Sequence, residues 1–348
     1  MARARLRDLG LRTGQLPPGP LNAITDVAGV RVGHATVSHD APTVARTGVT
    51  AIWPAGADIW TNAVTAGVHS FNGNGEMTGT IWLDEQGLLA TPVCITNTHS
   101  VGVVRDAVIA YAVRERVPRP WLLPVVAETY DGWLSEADRF PVTAAHAFAA
   151  LDGATGGAVA EGCVGGGTGM ICHEFKGGIG TASRKVGDYL VGVLVQANYG
   201  RRERFRVDGV PVGRLIGERI PLPRDGDESG SIIGIVATDA PLLPHQCDRL
   251  AQRAGLGVGR MGGTAAHSSG DIFFAFATGN RGLDGVGELP VRMLSDTEIT
   301  PFYDAVIEST EEAILNAMLA SKTMTGRDGN TVHALEPELL LEALSRQA

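Results

Sequence analysis

Short apolar runs alternate along this chain with stretches that have helical periodicity. Six apolar runs predict strands covered on both faces, at residues 49–53, 89–96, 122–127, 191–198, 231–238 and 271–278. Helical spacing predicts five helices, at residues 103–116, 143–151, 244–254, 301–320 and 336–346. Gly255 is expected to end the third helix, and Thr300 to cap the fourth in front of Pro301.

These elements follow one another without a long linker, an internal repeat or a low-complexity tail. Such alternation is typical of a layered α/β fold in which helices pack outside stacked sheets. The 46 glycines among 348 residues suit many tight turns between short strands. We therefore predict a single domain, 1–348, in which the acidic loop 224–230 is the weakly structured segment.

Composition and charge exclude several classes of protein. With 38 acidic and 29 basic residues the net charge is -9, which argues against a nucleic-acid partner, and the basic cluster 201–206 is interpreted as a solvated turn. The sequence has no run of 18 apolar residues and no signal core, so a soluble, cytoplasmic protein without a membrane partner is expected. The four cysteines form no CxxC pair and the nine histidines no HExxH pattern, which predicts buried thiols and no metal site or cofactor.

The glycine-rich run 161–170 resembles an anion-binding loop at first sight. It is not followed by the Lys-Ser/Thr of a Walker sequence, and no GxGxxG opens a βαβ unit. Close backbone packing beside an active site is therefore the preferred interpretation, with nucleotide binding as the alternative.

The junction within residues 224–239 carries the most specific chemistry. A loop rich in Gly, Asp and Ser ends at Gly230, and an apolar strand begins at Ser231. Cleavage between these two residues, by an N-to-O acyl shift and ester hydrolysis, would give Ser231 a free α-amino group that can accept the proton of its own hydroxyl. Gly230 can adopt strained dihedral angles that bring its carbonyl within reach of that hydroxyl. The alternative is an ordinary surface loop that feeds a strand.

A serine and a carboxylate downstream of the junction are candidates to support the nucleophile. Ser269 and Asp271 are two positions apart at the start of a predicted strand, so they project to the same face. If that strand lies beside the one that begins at Ser231, Asp271 can hold Ser269, and Ser269 can contact the nucleophile or its amine. A plain Ser-Gly-Asp turn is the alternative.

Two further segments place polar groups at strand ends. Asn198 leaves an apolar strand, where its amide suits either an oxyanion donor or a turn cap. Glu128, Tyr130 and Trp133 follow another strand and bring together a carboxylate, a phenol and an indole. Such groups suit a cationic amine and its small side chain.

Nearly the whole chain resembles the self-processing L-aminopeptidase/D-esterases and β-aminopeptidases. The motifs that carry the resemblance lie at 18–34, 72–79 (Asn-Gly-Asn-Gly-Glu-Met-Thr-Gly), 96–102 (Thr-Asn-Thr-His-Ser-Val-Gly), 128–132 (Glu-Thr-Tyr-Asp-Gly), 165–170, 230–233, 238–246 and 269–273. The resemblance implies a four-layer αββα sandwich with N-terminal-nucleophile-like chemistry. It also implies a precursor cut into segments 1–230 and 231–348 that stay together.

The resemblance also implies roles for individual residues. Ser231 carries over as the nucleophile, Ser269 and Asp271 as its hydroxyl and carboxylate support, and Asn198 with the Tyr130 hydroxyl as oxyanion donors. Glu128 would meet the ammonium group of the substrate, beside the indole of Trp133.

The expected activity is an aminopeptidase or amidase that acts on small peptides, amino-acid amides or esters. The expected assembly is a homo-oligomer, a tetramer of processed αβ units. The alternatives are an endo-type amide hydrolase or amino-acid acyltransferase on the same scaffold, and a noncatalytic ligand-binding relative.

Overall fold

A computed structural model of the protein describes residues 4–223 and 230–346. Most of the predicted acidic loop, 224–229, lies outside the described residues. In the described part the strands are β1 (Arg31–His39), β2 (Ala45–Trp53), β3 (Val64–Gly73), β4 (Leu88–Leu89), β5 (Val93–Asn97), β6 (Val125–Thr129), β7 (Ile171–Cys172), β8 (Phe175–Lys176), β9 (Gly178–Val186), β10 (Tyr189–Asn198), β11 (Ser231–Thr238), β12 (Gly270–Ala277), β13 (Met324–Thr325) and β14 (Thr331–Val332). The α-helices are α1 (Thr80–Gln86), α2 (Val101–Arg114), α3 (Ala144–Asp152), α4 (Val212–Ile216), α5 (Pro244–Arg260), α6 (Thr300–Ala320) and α7 (Pro337–Ser345).

Two sheets form the centre of the molecule. The small sheet has four strands in the order β1-β2-β5-β6, and the large sheet has six in the order β4-β3-β12-β11-β10-β9. In the large sheet β11 pairs in parallel with β12 and antiparallel with β10. Two short hairpins, β7-β8 and β13-β14, complete the strand pairing of the described residues.

The alternation of side chains along the large sheet builds two cores. Ile233 and Ile235 pack in one core with strands of the small sheet and with α2 and α3. Ile232 and Val236, on the other face of the same strand, pack in a second core with α5 and α6. The order of layers is therefore helix, small sheet, large sheet, helix, which is the predicted αββα sandwich.

Several element boundaries differ from the predictions. The strand predicted at 231–238 is β11 itself, but the run 89–96 divides into β4 and β5. The predicted end of α5 at Gly255 is wrong, because the helix continues to Arg260. Glycine inside this helix allows a close approach to α6, since a Cβ on Gly257 would lie 2.7 Å from the Thr310 Cβ. Thr300 is the first residue of α6 and not its cap, since Ile299 has that position and makes no side-chain cap hydrogen bond.

Two polar predictions also need correction. The cluster 201–206 is not wholly solvated, because Arg202 is buried, donates to the Glu174 carbonyl at 2.7 Å and covers the Phe175 ring at 4.1 Å. The four cysteines are free, but Cys163 is only partly buried, unlike the other three. Within residues 4–223 and 230–346 no helix is both long and apolar enough to cross a bilayer.

Candidate active site

A cavity of about 540 Å³ opens at one end of the two sheets. Its lining comes from strand ends and the loops beside them: Gly73, Asn74, Gly75, Glu76, Thr98, His99, Glu128, Tyr130, Trp133, Ile171, Asn198, Gly230, Ser231 and Ser268. The sequence candidates in this lining are Glu128, Tyr130, Trp133, Asn198, Gly230 and Ser231. A volume of this size suits a small ligand.

Ser231 is the first residue of β11 and lies opposite Asn198, the last residue of β10. Alternation puts the Ser231 side chain on the same face of the large sheet as Ile233 and Ile235, which is the face toward the small sheet. The residue is 4% exposed and contributes to the cavity wall. The hydroxyl at the predicted cleavage junction therefore lies beside a ligand-sized space.

Gly230 is a glycine for a spatial reason. A Cβ atom here would lie 2.7 Å from the Asn198 carbonyl oxygen and 2.9 Å from the Tyr199 Cα. The φ angle of Gly230 is not positive, so close backbone approach replaces the expected strained dihedral angles as the requirement. The Gly230 carbonyl accepts a hydrogen bond from the Gly270 amide at 3.2 Å, which aligns the junction with β12.

The Ser269 hydroxyl donates to Asp271 Oδ1 at 2.6 Å, so the two side chains lie on one face, as their spacing predicted. Gly270 is the register partner of Ser231, so this pair flanks the start of β11. Asp271 shares the alternation of Phe273, whose side chain faces the helices, and neither member of the pair lines the cavity. The pair therefore approaches the backbone end of Ser231, where an α-amino group would form. Burial raises the pKa of Asp271, while the hydrogen bond from Ser269 opposes that rise.

The Asn198 amide connects three segments of the cavity wall. Its Oδ1 accepts from the Ile171 amide at 2.8 Å, and its Nδ2 donates to the Tyr130 carbonyl at 3.0 Å. A primary amide has two N–H donors, so Nδ2 has a second donor besides the one used for Tyr130. This geometry leaves both sequence interpretations of Asn198, an oxyanion donor and a turn cap, open.

The Tyr130 side chain folds over a glycine. Tyr130 is 47% exposed, and a Cβ on Gly132 would lie only 2.0 Å from the Tyr130 hydroxyl oxygen. The Tyr130 ring lies 6.1 Å from His99, and His99 lies 6.0 Å from Phe140, both centroid to centroid. These rings and Trp133 give one side of the cavity an aromatic character.

Glu128 is a buried carboxylate at the end of β6. It is 3% exposed, its Oε1 accepts from the Glu76 amide at 3.0 Å, and its Oε2 accepts from the Thr98 hydroxyl. Burial raises the pKa of Glu128, and these two hydrogen bonds oppose that rise because they favour the charged form. An acidic group in a partly closed cavity provides a partner for a cation.

Sequence reasoning assigned no role to Glu76, Thr98, His99 or Ile171, which also line the cavity. The first three lie within the motifs at 72–79 and 96–102, which carried the resemblance but no individual roles. Ile171 had no signal, because an apolar residue after a glycine run looks like any core position. Within the described residues, no group of three or more His, Cys, Asp or Glu is arranged to hold a metal ion.

Known proteins are similar to this chain in sequence and fold. The model of peptidase family S58 matches residues 22–332. The beta-peptidyl aminopeptidase BapA of Sphingosinicella microcystinivorans is 46% identical, over 99% of this chain and 92% of its own length. A beta-aminopeptidase structure from a Burkholderia species matches with a TM-score of 0.94 at 51% identity, over 99% of both chains.

A further solved structure, the L-aminopeptidase D-Ala-esterase/amidase of Ochrobactrum anthropi, matches with a TM-score of 0.90 at 44% identity, over 99% of this chain and 98% of that one. It is described as a prototype for the serine aminopeptidases and a variant of the Ntn hydrolase fold. The fold and site thus define a serine aminopeptidase with an N-terminal-nucleophile hydrolase fold. The chain belongs to peptidase family S58, which confirms the predicted family, fold class and enzyme class.

Proposed function

We propose that this aminopeptidase is made as a precursor, cuts its own Gly230–Ser231 bond, and then uses Ser231 as the N-terminal nucleophile. The observation that best supports this proposal is the position of Ser231, at the start of β11 on the cavity wall and opposite Asn198. The hydroxyl attacks the Gly230 carbonyl carbon, the C–N bond breaks to leave an ester, and water hydrolyses the ester. The freed α-amino group then serves as the base for turnover.

The two segments, 1–230 and 231–348, stay together after the cut. β11 and β12 come from the second segment and lie in the middle of the large sheet, between β3 and β10 of the first. Their separation would break backbone pairing on both sides and open both cores. Processing therefore produces a single folded unit with a new N-terminus inside the cavity.

In turnover, the Ser231 hydroxyl attacks the scissile carbonyl of a bound substrate. Ser269, held by Asp271, supports the α-amino group, while Asn198 Nδ2 and the Tyr130 hydroxyl donate to the developing oxyanion. Glu128 binds the free ammonium of the substrate beside Trp133, which limits cleavage to the N-terminal residue. The scissile C–N bond breaks as the α-amino group passes the hydroxyl proton to the leaving amine, and the acyl group stays on Ser231 as an ester. Water then hydrolyses this ester and frees Ser231.

The substrates are small peptides, amides or esters with a free N-terminal amine, and residues with a β-amino group are among those accepted. Relatives at 46% and 51% identity are named beta-peptidyl aminopeptidase and beta-aminopeptidase, which supports this choice. A panel of β-alanyl and L-alanyl p-nitroanilides tests it. Hydrolysis of the α-substrate alone would remove the β-amino part of the proposal. The tetramer of processed units and the cytoplasmic location stay predictions.

Purified protein tests the processing step. We expect two fragments, and N-terminal sequencing of the second should begin Ser-Ile-Ile at position 231. Ser231→Ala should stay full length and inactive, while Ser231→Cys should retain some processing because a thiolate is a stronger nucleophile. An intact wild-type chain with full activity would refute the mechanism.

Acetylated substrates test the exopeptidase selectivity. Acetylation removes the positive charge that Glu128 is proposed to bind, so hydrolysis of the acetylated analogue should be abolished. Glu128→Gln should raise KM for free-amine substrates. Equal rates on free and acetylated substrates would instead favour the endo-type amide hydrolase.

A further inference from the structure

The motif at residues 96–102 forms a fixed support beside the cavity. Thr96 and Asn97 anchor it to the small sheet, because the Thr96 hydroxyl donates to the Gly48 carbonyl at 2.8 Å and Asn97 Nδ2 donates to the Thr47 hydroxyl at 2.7 Å. The next residue, Thr98, begins a short 3-10 helix and is exposed to the cavity. Its hydroxyl is therefore presented from a rigid base.

Thr98 and the loop after β3 hold the two oxygens of Glu128. The Thr98 hydroxyl donates to Oε2, and the Glu76 amide donates to Oε1 at 3.0 Å. Each carboxylate oxygen has two lone pairs, so one hydrogen bond to each oxygen fixes the carboxylate and leaves acceptor capacity for a cation.

We propose that Thr98 is a positioning residue that holds Glu128 in the orientation and charge state required by the substrate ammonium. This inference rests on the proposed function, in which Glu128 receives that ammonium. Thr98 acts through Glu128 and touches none of the reacting atoms.

The charged and titratable groups around Glu128 determine how the Thr98 hydroxyl affects the pKa of Glu128. Burial and the nearby Glu76 carboxylate raise the pKa of Glu128, whereas Thr98, the Glu76 amide and His99 lower it. Asp131 is also buried, and burial, with a smaller contribution from the charge of Glu128, raises the pKa of Asp131 to about 7. Loss of the Thr98 hydroxyl therefore leaves burial less opposed and moves the pKa of Glu128 further upward. A protonated Glu128 cannot pair with an ammonium.

The test compares Thr98→Val with Thr98→Ser on processed enzyme. In Thr98→Val we expect the acid limb of the kcat/KM profile to move to higher pH. On that limb KM should rise about tenfold, which is the usual effect of one lost hydrogen bond to a charged group, and kcat should change little. Thr98→Ser keeps the hydroxyl and should restore the wild-type profile. Thr297→Val, which removes another exposed hydroxyl away from the cavity, is the matched control.

A double-mutant cycle with Glu128→Gln distinguishes a failure of the Thr98 role from a failure of the Glu128 role. If Thr98 acts through Glu128, Thr98→Val should add nothing to Glu128→Gln, which cannot titrate. An unmoved acid limb in Thr98→Val, or an equal loss in the Glu128→Gln background, would overturn the role of Thr98. If Glu128→Gln itself leaves KM for free amines unchanged, the proposed binding of the substrate ammonium by Glu128 fails instead.

Discussion

The substitution Asp271→Asn tests whether the Ser269–Asp271 pair supports the nucleophile Ser231, and it changes the shape of the side chain little. In the folded protein the Asp271 carboxylate accepts from the Ser269 hydroxyl at 2.6 Å and from the Ile232 amide. Asn has one acceptor oxygen and an NH2 group where Asp has two acceptor oxygens, and it carries no negative charge. The Ser269 hydroxyl then has at most an uncharged acceptor beside the start of β11.

The size of the effect follows from burial and charge. Ser269 is 4% exposed and Asp271 1% exposed, so solvent does not replace the lost contact. A hydrogen bond to a charged group contributes about 1.5–3 kcal/mol, which corresponds to a decrease of roughly 10- to 150-fold in kcat/KM. In the wild type, protonation of Asp271 as the pH falls should lower kcat/KM in the same way. Because burial raises the pKa of Asp271, kcat/KM should begin to fall at a pH above the ordinary carboxyl pKa of about 4.

The assay is hydrolysis of an aminoacyl p-nitroanilide across the pH range, expressed per processed chain as counted by mass spectrometry. Asp239→Asn is the matched control, because Asp239 directly follows β11 at the end opposite Ser231. Asp239 is a half-buried carboxylate with a raised pKa, and it accepts a hydrogen bond from the Leu190 amide. A kcat/KM of Asp271→Asn within about twofold of the wild type would refute the reasoning, because the proposed loss is at least tenfold. An equal loss in the Asp239 variant would show a general defect of the strand.

Three further substitutions give distinct outcomes. Asn198→Ala should lower kcat by about 100-fold or more with a smaller effect on KM, as expected for one oxyanion donor, and an unchanged kcat would leave Asn198 a purely structural link. Gly132→Ala should fold but displace the Tyr130 hydroxyl, since the new Cβ would lie 2.0 Å from it; kcat should fall while the urea unfolding midpoint holds, and retained kcat would contradict the role of Tyr130. Arg184→Ala should destabilise the fold by about 3–5 kcal/mol, because Arg184 is fully buried between Glu308 at 3.0 Å and Glu312 at 2.8 Å; urea unfolding measures this, and a loss below about 1 kcal/mol would contradict it.

Some polar strands could not be recognised from local sequence. β9 has Thr181, Ser183 and Arg184 in its interior, yet these side chains are buried. They are satisfied by distant partners: Arg184 by carboxylates of α6, and the Thr181 hydroxyl by donation to the Val193 carbonyl at 2.6 Å. A local pattern of hydrophobicity contains no information about such partners, so β9 is absent from the predicted strands.

The sequence by itself determined the apolar runs, the helical periodicity and the position of the Gly230–Ser231 junction, because these depend on residue type and local spacing. It also determined that Ser269 and Asp271 share a face, since side chains alternate with a period of two. Tertiary structure decided that Ser231 faces the cavity while Asp271 faces the helices, because that choice depends on which layer covers each side of the large sheet. It also brought Thr98 to Glu128 through the pairing of β5 with β6, a neighbour relation that no local pattern specifies.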